Sequence, residues 1–202
     1  KLRLLNGAHS AIAYLGVQAG WATVDAAMAQ PALARFVDAM LRDEVAPTVA
    51  DELPGFDIAA YRAQLLQRFA NPALAHRCLQ IAMDGSQKLP QRLLGTLRDR
   101  LADGAPIDHL ALALAAWCTH LRGRNEAGTA YTLDDPLAPA LSALQAQAAA
   151  LPDATARADA FTRFAPVFGD LAGQPRLVQA LARALDDLAA QGVAATLEQS
   201  TR

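Results

Sequence analysis

Residues 108–121, DHLALALAAWCTHL, constrain the fold of this chain more than any other stretch. Apolar residues fall on nearly every side of the helix they would form, so other elements must surround it. Such a helix belongs at the centre of a bundle. The rest of the chain has the same character: hydrophobic residues make up 53% and aromatics only 5%, Ala and Leu dominate, and β-branched residues are few. That balance favours helix over strand. At 202 residues the chain can bury a sizeable core, and the fold class it implies is all-α, a multi-helix bundle.

Capping residues and prolines divide the bundle. A helix is expected over residues 2–17, then a short one from Thr23, as N-cap, to Ala29. Pro31 opens the next, through Phe36, Met40 and Leu41 to about Val45, and Pro47 closes it. DELPGFD, residues 51–57, is a turn, after which Asp57 caps a helix through Tyr61, Leu65 and Phe69. Asn71-Pro72 has the same cap-then-proline form and predicts a helix reaching Asp84-Gly85. A compact polar loop, SQK, then leads to Pro90. A helix through Leu93, Leu97 and Leu101 stops at Asp103-Gly104, and Asp108 starts the central one. Residues 123–136 form the long irregular stretch. The Ala-rich segments at 136–151, 157–164, 175–190 and 193–198 have polar sides that place them on the bundle exterior.

Lys and Arg total 18 against 20 for Asp and Glu, a formal net charge of −2, with no basic block. That leaves no footprint for nucleic acid. The longest apolar stretch, 110–117, is too short to span a bilayer. Gly16 and Gly20 lack the spacing and the preceding strand of a nucleotide-phosphate loop. His9, His76, His109 and His120 make no metal-ligand spacing, so no metal site is expected. No GxSxG elbow occurs. Cys78 and Cys118 lie in apolar helical contexts without CxxC spacing, as buried reduced thiols of a cytoplasmic protein do.

KLRLLNGAHS, residues 1–10, brings an amine, a carboxamide and an imidazole together. On a regular helix Lys1, Asn6 and His9 fall within an arc of about 140°. A desolvated lysine can act as general base, while a carboxamide and an imidazole can hold a hydroxyl or its developing oxyanion. That suits metal-free redox chemistry of a secondary alcohol. On spacing alone the stronger reading is a solvated lysine and a structurally satisfied histidine. A second cluster, His76, Arg77, Gln80, Asp84, Ser86, Gln87 and Lys88, crowds a turn flanked by apolar residues. Polar groups beside a core are usually paired with each other or with a ligand, although Asp84-Gly85-Ser86 by itself is an ordinary helix end.

Together KLRLLNGAHS, LRDEVAPT, PGFDIAAYRAQLLQRFANP, the run 76–92 and the looser GRNEAGTAYTLDDP resemble the C-terminal domain of the long-chain mannitol dehydrogenase family, which includes fructuronate reductase (D-mannonate oxidoreductase). The resemblance covers residues 1 to about 136. It implies a helical substrate-binding and catalytic domain over 1–202, like the C-terminal domain of 6-phosphogluconate-dehydrogenase-like enzymes. It also implies an N-terminal Rossmann domain, absent from this chain, that binds NAD(H). The family pattern K-x4-N-x2-H falls on Lys1, Asn6 and His9. Their implied roles are general base, oxyanion stabiliser and holder of the substrate hydroxyls. The family's DGSxK loop falls on 84–88, implying that Lys88 binds substrate.

Mannitol dehydrogenases proper carry Arg where this chain has Gln80. With His76-Arg77 and QIAMDGSQKLPQR, the sequence is more similar to fructuronate reductase, whose couple is D-mannonate and D-fructuronate. Arg77, Lys88 or Arg92 could pair with that substrate's carboxylate. The resemblance thus implies the catalytic half of a cytoplasmic NAD-dependent dehydrogenase, inactive alone, whose partners are a sugar acid or polyol and its own Rossmann domain. A mannitol 2-dehydrogenase is the alternative within that class. A non-catalytic helical binding module is the alternative outside it.

Overall fold

The computed structural model describes residues 1–200, and two isolated bridges, Thr23 with Arg77 and Arg124 with Ala130, are the only β pairings among them. A π-helical turn, Leu2–Asn6, leads into α1 (Gly7–Ala19). There follow α2 (Val24–Met28), α3 (Pro31–Ala39), α4 (Ile58–Phe69), α5 (Cys78–Ile81), α6 (Gly85–Leu89) and α7 (Gly95–Ala102). The second half holds α8 (Asp108–His120), α9 (Ala138–Ala149), α10 (Ala154–Thr162), α11 (Ala165–Phe168) and α12 (Pro175–Ser200), which breaks at Gly192. Thr23 and Asp57 are N-caps, accepting from the backbone N–H of Ala26 at 3.4 Å and of Ala60 at 2.8 Å.

The apolar helix is central. Every residue of α8 from Leu110 to Cys118 is buried, and α1 and α12 pack against it. This corrects the exterior placement of the C-terminal segments. α12 buries Leu177, Leu181 and Leu197, because a helix apolar all round needs cover on the side that α1 leaves open. The start of α8 is held from a distance. Glu44, 1% exposed, accepts the backbone N–H groups of His109 and Leu110, each at 2.8 Å, and lies 2.9 Å from Nδ1 of His109. A carboxylate there satisfies two otherwise orphaned donors and faces the positive end of the helix dipole.

Two further expectations fail. The helix predicted from Asn71 begins only at Cys78. Asn71 Oδ1 instead accepts the N–H of Ala73 at 3.0 Å, Ala75 takes φ 42, and the chain then runs extended. There it pairs with the segment before α2, through Val24 N–H to His76 O and Cys78 N–H to Ala22 O, both 2.9 Å. Asn-Pro starts turns as readily as helices, and the long-range pairing decided the outcome.

The loop predicted between Gly85 and Pro90 is helical. α6 runs through a π-helical turn, Pro90–Leu94, into α7, and the wider turn accommodates a proline that cannot donate. Asp84 precedes α6 in the left-handed conformation (φ 54, ψ 36), its N–H donating to Asp134 O at 2.9 Å. Gly85 is there for close approach. A Cβ at that position would lie 2.6 Å from Trp117 Nε1 and 2.7 Å from the Tyr14 hydroxyl. The helix break before Asp84 means that Gln80, Asp84 and Lys88 do not share one helical face.

Candidate active site

The first turns of α1 bury one side and leave the other open. Leu4, Leu5, Ala8 and Ile12 join the core, whereas Lys1 is exposed and Asn6 and His9 are half-buried. The 140° arc of a regular helix does not apply, because residues 2–6 are π-wound and the Lys1 carbonyl accepts both Leu5 N–H at 3.1 Å and Asn6 N–H at 3.2 Å. The three polar residues still fall on the less buried side. Gly7 permits the packing that frames them, since a Cβ there would lie 2.8 Å from the Arg92 carbonyl oxygen. Arg92 is thereby drawn against α1, and its Nη1 donates to Ser10 Oγ at 3.1 Å.

His9 sits in a narrow cleft with Arg68, Phe69, Asn71 and His76. Its ring centroid is 4.6 Å from that of Phe69 and 6.3 Å from that of His76. Burial, reinforced by His76, Arg68 and Arg92, lowers its pKa to about 4. At neutral pH it is therefore an uncharged imidazole, able to donate and accept hydrogen bonds without contributing a positive charge.

The second cluster divides. Arg77 and Gln80 line a cleft of about 640 Å³ together with Met83, His120, Tyr131 and Asp134. Lys88 folds over the neighbouring turn, donating to the Met83 carbonyl at 2.6 Å with Asp84 at 3.6 Å. The structure thus brings His9 beside His76 and Arg92, and Arg77 beside Gln80. It does not gather all six predicted site residues into one cavity.

The sequence gives little sign of the part that three residues of this region play. Asp135 accepts Ser86 N–H at 2.8 Å, Ser86 Oγ–H at 2.6 Å and Leu137 N–H at 2.8 Å, and so anchors the turn that carries Lys88. The DDP in GRNEAGTAYTLDDP was its only signal. His120, 2% exposed, stacks on Tyr131 with centroids 4.8 Å apart and rings 15° from parallel. Burial brings its pKa down to about 4, and its Nδ1 has no hydrogen-bond partner among the described residues. The Tyr131 hydroxyl accepts from Gln18 Nε2 at 2.8 Å and donates to the His120 carbonyl at 3.0 Å, and burial raises its pKa to about 12. Nothing in the sequence links these residues, which meet only through the fold.

Both cysteines are free and buried. Burial raises the Cys78 thiol to about 12 and that of Cys118 further still. Neither has the thiolate character of a nucleophile.

Residues 1–189 match the family described as the mannitol dehydrogenase C-terminal domain. D-mannonate oxidoreductase of Escherichia coli (strain K12) is 45% identical over 148 residues, 73% of this chain and 30% of its own length. Mannitol 2-dehydrogenase of Phaeosphaeria nodorum is 36% identical over 200 residues, 98% of this chain and 34% of its own length. Among solved structures, Pseudomonas fluorescens mannitol 2-dehydrogenase in ternary complex with NAD and D-mannitol superposes with a TM-score of 0.90 at 32% identity, covering 99% of this chain and 39% of that one. The chain spans about a third of the length of these curated relatives.

Proposed function

This chain belongs to the mannitol dehydrogenase C-terminal domain family, and from that premise we propose that it is the substrate-binding and catalytic part of an NAD-dependent oxidoreductase interconverting a secondary alcohol and a ketone. The observation that carries this reading is the placement of Lys1, Asn6 and His9 on the open side of a helix whose other side is locked in the core. Lys1 takes the proton from the alcohol oxygen. Asn6 donates its carboxamide N–H to that oxygen as the carbonyl forms, and His9, being neutral, holds a neighbouring hydroxyl. Lysine works as a base when desolvated. Lys1 is exposed in this chain, so a domain closing over it must supply the burial.

The described residues do not fit a dinucleotide cradle. They contain no glycine-rich turn between a strand and a helix, the feature that holds a pyrophosphate. NAD(H) is accordingly assigned to a Rossmann domain elsewhere in the parent, and the roles given to this chain concern only substrate and proton.

The proposed substrate couple is D-mannonate and D-fructuronate. The 45% identity to D-mannonate oxidoreductase supports it, as does Gln80 in place of the arginine of mannitol dehydrogenases. The cleft favours Arg77 as the carboxylate partner, because Arg77 lines it with no carboxylate at ion-pair distance among the described residues, whereas Lys88 is engaged with Met83. Mannitol and fructose remain the second reading, on the strength of the 0.90 superposition.

The test compares fructuronate with fructose in the parent enzyme. Fructuronate is expected to be reduced with the higher kcat/KM, and a preference for fructose would defeat the sugar-acid reading. Arg77→Gln should raise KM for fructuronate by about ten- to a hundredfold, the loss of a charge-assisted hydrogen bond, with little change for fructose. Lys1→Ala should lower kcat by ~10²–10⁴. The 202-residue chain alone should be inactive.

A further inference from the structure

The C-terminal helices enclose a groove with no part in the site described above. A cavity of about 280 Å³ opens where the end of α8 meets α9, α10 and α12, with Arg122, Gln145, Arg157, Phe161 and Leu188 in its lining. A second, of about 430 Å³, shares Arg122 and Gln145 with it and adds Arg124. The two are one groove with a narrow and a broad lobe.

Its chemistry is asymmetric. Phe161 and Leu188, 3% and 9% exposed, form an apolar floor to the narrow lobe, while two guanidinium groups stand in its walls. Arg157 reaches only one carboxylate, Asp186, at 3.4 Å. Arg122 donates to the Thr119 carbonyl at 3.1 Å and to Gln18 Oε1 at 3.2 Å, and among the described residues neither it nor Arg124 forms an ion pair. Partial burial holds the Arg122 pKa below the ordinary arginine value. Arg122 keeps donors in hand, since a guanidinium has five N–H groups in a fork that matches a carboxylate.

An independent observation comes from Gln145. Its Oε1 is buried without a hydrogen-bond partner. Which end of a carboxamide is oxygen is an assignment that rests on the hydrogen-bond network. Turned over, Gln145 presents N–H at the same point, the donor that an anion accepts. A buried polar atom left unpaired is destabilising, and a ligand would remove that penalty.

We infer that this groove binds an organic carboxylate carried on a short apolar chain, with the carboxylate between Arg122 and Arg157 beside Gln145 and the chain on Phe161 and Leu188. None of Lys1, Asn6 and His9 lines the groove, and it shares no lining residue with the His9 or Arg77 clefts; the inference does not depend on the function proposed above. Arg122 also ends a hydrogen-bonded chain through Gln18 and Tyr131 to His120. The groove and the Arg77 cleft are therefore joined by defined contacts.

The probe is sodium hexanoate, titrated calorimetrically into the full chain, with hexan-1-ol and inorganic phosphate as separate arms. Hexanoate should bind saturably, and the alcohol and phosphate about tenfold more weakly or not at all, because each lacks one half of the recognition. Arg157→Gln and Arg122→Gln should each weaken hexanoate by about tenfold or more. Arg122→Gln also breaks the contact to Gln18, so Arg157→Gln, which touches only the exposed Asp186, is the variant that keeps the test sound if the first is unstable. Failure of hexanoate to saturate overturns the inference. So does equal binding of hexan-1-ol or phosphate, or binding indifferent to Arg157→Gln. Loss of hexanoate binding on Arg77→Gln would place the ligand in the other cleft, with the same result.

Discussion

Asp135→Ala should unfasten the turn that presents Lys88. The carboxylate accepts three hydrogen bonds, two of them from Ser86 at 2.8 and 2.6 Å and one from Leu137 N–H at 2.8 Å. Leu137 is half-buried and can turn to water, but Ser86 is 2% exposed and cannot. Hydrogen bonds to a charged acceptor contribute about 1.5–3 kcal/mol each. Loss of the two Ser86 bonds, partly offset by relaxation of the turn, should destabilise the chain by about 3 kcal/mol. In a domain of this size that is a fall in Tm of roughly 6–12 °C. Urea denaturation followed by far-UV circular dichroism measures the free energy directly. Ser86→Ala separates the anchor from a general surface effect. If the two side chains act together, the double variant should be less destabilised than the sum of the single ones by about 1–2 kcal/mol. In the parent enzyme, Asp135→Ala should raise KM for the substrate. Additive single effects, or a loss within about 0.5 kcal/mol, would refute the anchoring argument.

Glu44→Ala should destabilise the chain by about 3–5 kcal/mol, because it strips two N–H groups at the start of the central helix and leaves His109 Nδ1 without its partner. A urea midpoint close to wild type would mean that α8 does not need this cap. His9 and His120, both lowered to about 4 from 6.5, make stability depend on pH in a defined direction. As pH falls below about 6.5 the unfolded chain takes up protons at these positions while the folded chain stays neutral, so stability drops through that window and levels off near the folded values. Tm measured between about pH 7 and pH 5, above the main carboxylate range, should decline, and His120→Gln should flatten the slope. A Tm that rises on acidification would reject the assignment of neutral, buried rings.

What could be read from sequence was whatever depends on residues close together in the chain. The centrality of 108–121 follows from its own apolar periphery, and the open side of α1 from Lys1, Asn6 and His9 standing among buried leucines and alanines. Local signals failed where two structures share one signature. Asn71-Pro72 satisfies a helix start and a turn alike, and the bonds from Val24 and Cys78 that chose the turn join separate segments. Gly85 and Pro90 read as breakers when each was isolated. In the fold, Gly85 exists because Trp117 and Tyr14 occupy the space of its Cβ, and Pro90 is absorbed into a π turn. The anchoring roles of Glu44 and Asp135 could not be read because their donors lie on distant segments. The same division runs through the candidate site. The residues proposed to handle the proton come from the first nine positions, whereas the walls of the cleft proposed for the substrate are assembled from Arg77 and Gln80, the end of α8, and the irregular stretch after it. Substitutions in the 123–136 segment should therefore alter which substrate is taken, while substitutions at Lys1, Asn6 and His9 alter whether the reaction proceeds at all.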